Sequence, residues 1–286
     1  MRTVTPPSHG APRRPPAERI GLIAGNGRFP LIFAETARRQ GVEVVAVAHR
    51  GETLPEIAAF VAELTWVRVG ELGRIIRVFK RADVRRAVMA GGITKPRHLA
   101  DLRPDLRGSA FLAKIRSLKD DVLLRGVAAE LEREGIAVVE STLFLGALVP
   151  AAGTLTRAAP RAREWEDIRF GFRVAKDLGR WDIGQSVVVK GGAVLAVEGI
   201  EGTDAAIRRG GELGRGGVVV VKVSKPMQDL RFDVPAVGMT TIEVLREVGG
   251  RVLAVEAGRT VMLEREAVLA AADAAGIAVV GMTVSE

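Results

Sequence analysis

The first half of the chain alternates short apolar runs with segments of helical periodicity. The apolar runs predict strands at residues 20–24, 42–48, 63–69, 87–92 and 136–139. Between them, helical spacing predicts helices at residues 30–41, 72–82 and 120–134. Pro30 suits the first turn of a helix, and Gly41 suits the position after a helix end. Strands that alternate with helices predict a parallel sheet, so residues 20–150 are expected to form a Rossmann-like domain.

The second half is richer in Gly and Val, and it follows a change of composition between residues 146 and 164. Pro150, Gly153 and Pro160 mark that stretch as a linker or a long excursion. Apolar runs then predict strands at residues 186–189, 193–197, 217–223, 252–256 and 279–281. Helices are expected at residues 165–178, 204–209, 242–248 and 265–275. The fold class is therefore α/β, with a mixed α/β domain over residues 151–286.

Composition narrows the classes of protein that the chain can belong to. A chain of 286 residues is long enough for two domains with separate cores. The absence of Cys excludes disulfides, zinc-thiolate sites, iron-sulfur clusters and cysteine nucleophiles. Aromatic residues make up only 4% and Tyr is absent, which argues against a nucleic-acid partner because base stacking needs aromatic side chains.

The net charge of +8 is partly concentrated in residues 1–19, where four arginines and one glutamate give +3. This basic, Pro-rich leader is interpreted as disordered, or as a wrongly assigned start, because its composition cannot build a core. No apolar segment follows the arginines, so a signal peptide is not predicted. No apolar run is long enough for a membrane span. The remaining positive charge could attract an anionic substrate or a membrane surface.

Two glycine-rich turns follow predicted strands and suggest a ligand site. Gly25-Asn26-Gly27 stands where a dinucleotide-binding turn would stand, but Pro30 replaces its third glycine. The acidic residue expected after the second strand is missing as well. The alternatives are an ordinary turn, a nicotinamide site and a nucleotide or phosphate site of another kind, which is favoured. Gly91, Gly92, Thr94 and Lys95 follow a later strand, and ligands in open parallel sheets bind at that edge.

Residues 221–235 carry the most polar loop of the chain, directly after an apolar run. Its charged and amide side chains are Lys222, Lys225, Gln228, Asp229, Arg231 and Asp233. Lys and Arg suit phosphate oxygens, whereas aspartates suit Mg²⁺ or the activation of water. The combination indicates cleavage or transfer at a phosphate ester.

Acidic residues elsewhere leave two interpretations open. Residues 198–204 contain three carboxylates and the hydroxyl of Thr203, which could form a site, while Thr203 or Asp204 could equally cap the next helix. Asp120 and Asp121 open a predicted helix, where capping is the default interpretation. No His pair has metal-ligand spacing, and neither a P-loop nor a nucleophile elbow occurs.

Several short motifs in a fixed order give the chain a resemblance to a known family. They are residues 21–27, His49-Arg50-Gly51-Glu52, residues 89–93, residues 103–107, Asp120-Asp121, residues 182–189, Glu201-Gly202-Thr203-Asp204 and residues 225–235. Together they resemble the UDP-2,3-diacylglucosamine pyrophosphatases of the LpxI type, from lipid A biosynthesis, from about Ile20 to the C-terminus. The chain departs from the family's pattern at Asn26 and Met227, where members often have Gly.

The resemblance implies a two-domain enzyme that holds a lipid-bearing substrate between its domains. It implies Mg²⁺-assisted hydrolysis of the UDP-sugar diphosphate to 2,3-diacylglucosamine 1-phosphate and UMP, with Mn²⁺ as an alternative metal. The resemblance implies that the family's essential aspartate falls in the region of Asp229 to Asp233. Asp233 is favoured, and both remain candidates.

The expected site follows from both arguments. The catalytic candidates are Asp233, Asp229 and Lys225, and the metal ligands are Asp233, Asp229 and Asp204. The substrate-binding candidates are Gly25, Asn26, Gly27, Gly91, Gly92, Thr94, Lys95, Thr203, Lys222, Gln228 and Arg231. The protein is expected in the cytoplasm, weakly attached to the anionic inner-membrane surface, and a homo-oligomer is considered. The rival hypotheses are a non-catalytic module that binds sugar nucleotides or lipids and a nicotinamide-dependent oxidoreductase.

Overall fold

The computed structural model describes residues 18–93, 104–114, 120–232 and 234–283, and only the backbone of residues 120 and 121. Nearly all of the basic leader lies outside these ranges. The same holds for Thr94, Lys95 and Asp233, and for the side chains of Asp120 and Asp121. The predictions made for these residues stay predictions.

Five parallel strands form the sheet of the first half, in the order β3-β2-β1-β4-β5. The strands are β1 (Arg19–Ala24), β2 (Glu43–His49), β3 (Glu63–Val67), β4 (Arg86–Ala90) and β5 (Ala137–Val138). The helices are α1 (Phe29–Arg39), α2 (Leu72–Arg81), α3 (Leu106–Lys114) and α4 (Asp120–Glu132). Alternate residues of β1 enter different cores, with Ile23 packing beside α2 and α4 and Leu22 beside α1. The sheet is therefore covered on both faces, as the near-continuous apolar runs predict.

Six strands form the sheet of the second half, in the order β6-β13-β11-β9-β7-β8. The strands are β6 (Gly153–Thr154), β7 (Ser186–Lys190), β8 (Ala193–Val197), β9 (Val219–Lys222), β11 (Val252–Glu256) and β13 (Ala278–Met282). Strands β9, β11 and β13 are parallel, whereas β7 runs antiparallel to both β8 and β9. The sheet is mixed, and the predicted α/β fold class is confirmed for both halves.

Four helices cover the two faces of the second sheet. They are α5 (Ala162–Arg180), α6 (Thr203–Gly214), α7 (Met239–Glu247) and α8 (Arg265–Ala275). Helix α5 packs on one face through Ile168 and Phe172, and the other three pack on the opposite face. Helix α6 approaches β7 closely, because a Cβ atom added at Gly210 would lie only 2.6 Å from Val188 Cβ.

A third, two-stranded element links the halves. Strand β10 (Ala236–Val237) pairs in parallel with β12 (Val261–Met262). Val261 is fully buried in the same core as Leu22 and Phe33 of the first half. Phe232, just before β10, packs against the other core of the first half. The chain therefore leaves the end of β9 in the second sheet, and its described residues Phe232 and Val234 pack against the cores of the first half.

Some predicted bounds were wrong, for local reasons. The strand predicted at residues 87–92 ends at Ala90, because Gly91 has a φ of +81°, which is incompatible with a continuing strand. The helix predicted at residues 204–209 extends to Gly214. Helix α3 and the short strands β6, β10 and β12 were not predicted. Each of these strands has two residues, which is too few for a periodic pattern.

Candidate functional site

The two glycine-rich turns of the first half meet at the carboxyl ends of β1 and β4. The Gly25 N–H donates to the Ala90 carbonyl at 2.8 Å, and the Asn26 N–H donates to the Gly92 carbonyl at 2.7 Å. A Cβ atom at Gly25 would lie 2.1 Å from the Gly92 oxygen. Both turns lie at the strand ends where the sequence predicts a ligand site, and ligand binding there stays a prediction. The close approach seen here is between the two turns themselves.

Asn26 and Gly27 occupy different surroundings within the same turn. The Asn26 side chain accepts from the Gly92 N–H at 3.1 Å and donates to the Glu52 carboxylate at 3.1 Å. Glu52 thus brings an acidic group to the turn from just beyond β2, although no acidic residue ends that strand. Gly27 has a φ of +78°, and a Cβ atom there would meet nothing within 4 Å. Its open side is where a ligand could reach the backbone.

A buried histidine contacts the end of β1, directly before the first glycine-rich turn. His49 is 6% exposed at the end of β2, and its Nδ1 lies 2.9 Å from the Ala24 carbonyl oxygen. The Thr53 hydroxyl donates to the same oxygen at 2.7 Å. Burial lowers the pKa of His49, so the ring is neutral near pH 7 and its Nδ1–H donates. His49 therefore fixes the end of β1 rather than acting as a cation.

The corresponding edge of the second sheet gathers a polar cluster, made up of Ser186, Glu198, Thr203 and Lys222. The register that pairs Ser186 with Lys222 places the start of β7 beside the end of β9. Lys222 Nζ donates to Thr203 Oγ1 at 2.9 Å, and this hydroxyl donates to Glu198 Oε1 at 2.8 Å. Ser186 Oγ lies 3.4 Å from Thr203 Oγ1. One hydroxyl thus connects a buried ammonium with a buried carboxylate.

Two members of this cluster were predicted and two were missed. Thr203 and Lys222 were predicted to bind substrate, and the structure brings them into contact. Glu198 was noticed only as part of an acidic run, and Ser186 only within a motif. Both lie at the same edge because β8 returns antiparallel to β7. This hairpin was visible as two apolar runs separated by Gly191 and Gly192, so its pairing could have placed Glu198 beside Ser186.

Residues 224–232, called the polar loop below, hold Lys225 and Gln228. Lys225 Nζ donates to Asp182 Oδ1 at 2.6 Å. Gln228 Oε1 accepts from the Lys225 N–H at 2.8 Å and from Ser224 Oγ at 3.2 Å. The Gln228 side chain thus binds the first two residues of the polar loop and closes this part of the loop into a turn.

Asp229 and Arg231 form a bidentate ion pair within the polar loop. Arg231 Nε donates to Asp229 Oδ1 at 2.9 Å, and Arg231 Nη2 donates to Oδ2 at 2.8 Å. Arg231 also donates to Glu132 of α4 at 3.1 Å. The hydrogen bonds from Arg231 lower the pKa of Asp229, and those from Asp229 raise the pKa of Arg231. Asp229 is therefore ionised, with both carboxylate oxygens already accepting hydrogen bonds.

The predicted metal ligands do not form a complete donor set within the residues that the structure describes. Asp204 lies in the first turn of α6, and Asp229 is paired with Arg231. In the described ranges no three His, Cys, Asp or Glu side chains cluster as a metal site would require. Asp233, the third predicted ligand, lies outside these ranges. The described side chains alone therefore do not assemble a metal site.

Comparison with known proteins adds independent findings. The model of the LpxI N-terminal domain matches residues 19–148, and that of the LpxI C-terminal domain matches residues 151–280. A curated protein of Caulobacter vibrioides, UDP-2,3-diacylglucosamine pyrophosphatase LpxI, is 34% identical over 279 residues. That match covers 94% of this chain and 99% of the relative.

Among solved structures, the biotin carboxylase subunit of pyruvate carboxylase is 14% identical, with a TM-score of 0.26, and the match covers 64% of this chain and 36% of that one. A likeness this weak carries no argument. The two domain models and the full-length relative agree with each other, and the chain belongs to the LpxI family.

Proposed function

We propose that this chain hydrolyses the diphosphate bond of UDP-2,3-diacylglucosamine, giving 2,3-diacylglucosamine 1-phosphate and UMP in lipid A biosynthesis. The observation that carries the proposal is the 34% identity, along nearly the whole of both chains, with a relative named as that pyrophosphatase. The polar cluster and the polar loop supply residue types suited to a diphosphate.

The polar cluster is the proposed site for the phosphate groups. Lys222 is only 7% exposed, so its ammonium acts in a poorly solvated setting where attraction to an anion is strong. It lies at the N-terminus of α6, whose N-cap residue Gly202 has no side chain to satisfy the first-turn N–H groups. The Gln185 N–H donates to Glu198 Oε2 at 3.3 Å, and Gln185 Oε1 is buried without a hydrogen-bond partner among the described residues. The ammonium and the N–H groups can donate to phosphate oxygens, and Gln185 Oε1 can accept a hydrogen bond from a sugar hydroxyl.

The edge of the first sheet is the proposed site for the nucleotide portion. Gly27 offers an open backbone after β1, and the turn is held by Gly91, Gly92 and Asn26. Ligands of open parallel sheets bind beyond the carboxyl ends of the strands, which is where these residues lie. Thr94 and Lys95 are proposed to join them.

The chemical role is assigned to Asp233 in preference to Asp229. Both oxygens of Asp229 accept hydrogen bonds from Arg231, which supports a structural role for Asp229. Asp233 is proposed to orient the attacking water or to bind Mg²⁺, with Mn²⁺ as a substitute. Bound metal would neutralise charge on the diphosphate. Lys222 and Lys225 are proposed to stabilise the charge that grows in the transition state.

The activity and its metal dependence can be tested in one assay. Purified protein is expected to release UMP from UDP-2,3-diacylglucosamine, to lose this activity in excess EDTA and to regain it with Mg²⁺ or Mn²⁺. Substrate binding without UMP release under any metal condition would favour the non-catalytic binding module. Full activity in EDTA would remove the metal from the mechanism and leave the hydrolysis intact.

The two aspartates are distinguished by replacing each with alanine. Asp233→Ala is expected to lower kcat by orders of magnitude while substrate still binds. Asp229→Ala is expected to cost about 1 kcal/mol of folding stability, through loss of the Arg231 pair, and to retain most of the turnover. Steady-state kinetics and chemical denaturation of both variants provide the measurement. A folded Asp229→Ala protein without activity, beside an active Asp233→Ala protein, would reverse the assignment.

Lys222 is tested against Lys190, at the other edge of the same sheet. Lys222→Met is expected to lower kcat/KM by about 100-fold, because it removes a buried cation aimed at the proposed phosphate site. Lys190 Nζ donates to the carbonyls of Gly214 and Gly216, away from the polar cluster. Lys190→Met is therefore expected to leave kcat/KM unchanged. Equal effects of the two substitutions would show that Lys222 has no special role.

We also propose that the protein resides in the cytoplasm and attaches loosely to the anionic inner-membrane surface, where a lipid-bearing substrate is available. None of the described helices is long and apolar enough to cross a membrane. The net charge of +8 favours weak electrostatic attachment, which salt screens. Cell fractionation is expected to find the protein on membranes at low salt and in the supernatant after a high-salt wash. A requirement for detergent would contradict this proposal. Formation of a homo-oligomer stays a prediction.

A further inference from the structure

The polar loop begins at a residue whose main chain is held from two sides. Ser224 is fully buried. Its N–H donates to Glu256 Oε2 at 2.7 Å, and its carbonyl accepts from Lys176 Nζ at 2.8 Å. Glu256 ends β11 and Lys176 belongs to α5, so two separate elements fix the position of one residue.

The two side chains also bind each other. Lys176 Nζ lies 2.8 Å from Glu256 Oε1 and 2.7 Å from Oε2. Glu256 is only 2% exposed, and the Lys176 side chain is 17% exposed. Removing both charges from water costs free energy that their attraction barely repays, and an apolar pair is often at least as stable. Stability alone therefore does not explain an ion pair at this position.

Hydrogen bonds continue from Ser224 towards the residues proposed for catalysis. Ser224 Oγ and the Lys225 N–H both donate to Gln228 Oε1, and Gln228 precedes Asp229. In the other direction along the chain, Ser224 is two residues beyond Lys222, which ends β9. Along the chain, Ser224 thus lies between Lys222 and the two candidate aspartates.

We propose that Glu256 and Lys176 form a positioning pair for the reaction, which fixes Ser224 and thereby aims Lys222 on one side and the polar loop on the other. This inference rests on the proposed function. A displacement of reacting groups by about 1 Å can cost about 100-fold in rate. Holding Ser224 in place is therefore expected to keep kcat high. Neither side chain is assigned a contact with substrate.

The test replaces Glu256 and compares it with a second buried carboxylate in the same domain. Asp167 is 5% exposed and accepts from the N–H groups of Gly191 and Gly192 at 2.8 and 2.6 Å. These glycines follow β7, at the edge of the sheet opposite Ser224. Glu256→Gln and Asp167→Asn each remove one buried charge that accepts backbone hydrogen bonds, so they form a matched pair.

Glu256→Gln is expected to lower kcat at least 10-fold with KM within about threefold, whereas Asp167→Asn is expected to leave kcat unchanged. In a cycle with Lys176→Met, the double variant is expected to lose no more kcat than the worse single variant, because the pair acts as one unit. Equal kcat in Glu256→Gln and Asp167→Asn, or losses that multiply in the double variant, would overturn the inference. If Glu256→Gln does not fold, Lys176→Gln takes its place in the comparison.

Hydrogen exchange provides a readout that does not depend on activity. Glu256→Gln is expected to speed exchange in the peptide spanning residues 224–232, and Asp167→Asn to speed it only around residues 191–192. Unchanged exchange in the polar loop would overturn the positioning pair even if the enzyme assay succeeds. Wild-type protein that releases no UMP would instead refute the proposed function, so the two failures are distinguishable.

Discussion

Burial of both sheets on both faces is the constraint on which the rest of the structure depends. Strands such as β1, β2, β9 and β11 are apolar on both sides because helices cover them. Polar groups are therefore excluded from the middle of each sheet and collect where the strands end. In the first half those ends carry backbone groups of glycines. In the second half they carry charged side chains.

Near the strand ends of the second sheet and in the polar loop, cationic side chains are paired with carboxylates. Lys222 is linked to Glu198 through Thr203, Lys176 is paired with Glu256, and Arg231 is paired with Asp229. A buried ion without a partner would cost several kcal/mol, so this pairing keeps the site folded when no anion is bound. It also means that any anion that binds at these cations must compete with the carboxylates already paired with them.

Much of the fold could be predicted from the sequence because local patterns determine it. Long apolar runs identified the main strands, and glycines marked where they end. The short strands β10 and β12 were not predicted because they form through tertiary packing of Val261 and its neighbours. The site was harder to predict, since its side chains meet over long sequence distances. Lys176 and Glu256 are 80 residues apart, and no local pattern predicts that they form an ion pair. Lys222 and Thr203 were predicted to bind substrate because the segments around them are unusually polar, and that role stays a prediction.

The shared packing of Val261 means that the first half of the chain does not form its core alone. This residue of the second half is buried with Leu22 and Phe33, and Val234 and Leu263 pack around the same cluster. An isolated first half would present an apolar surface to water where these three side chains now lie. A substitution of a core residue in β1 or α1 must therefore still pack against a side chain that lies more than 200 residues further along the chain. A chimera that joins halves from distant relatives would therefore combine core side chains that do not pack well against each other.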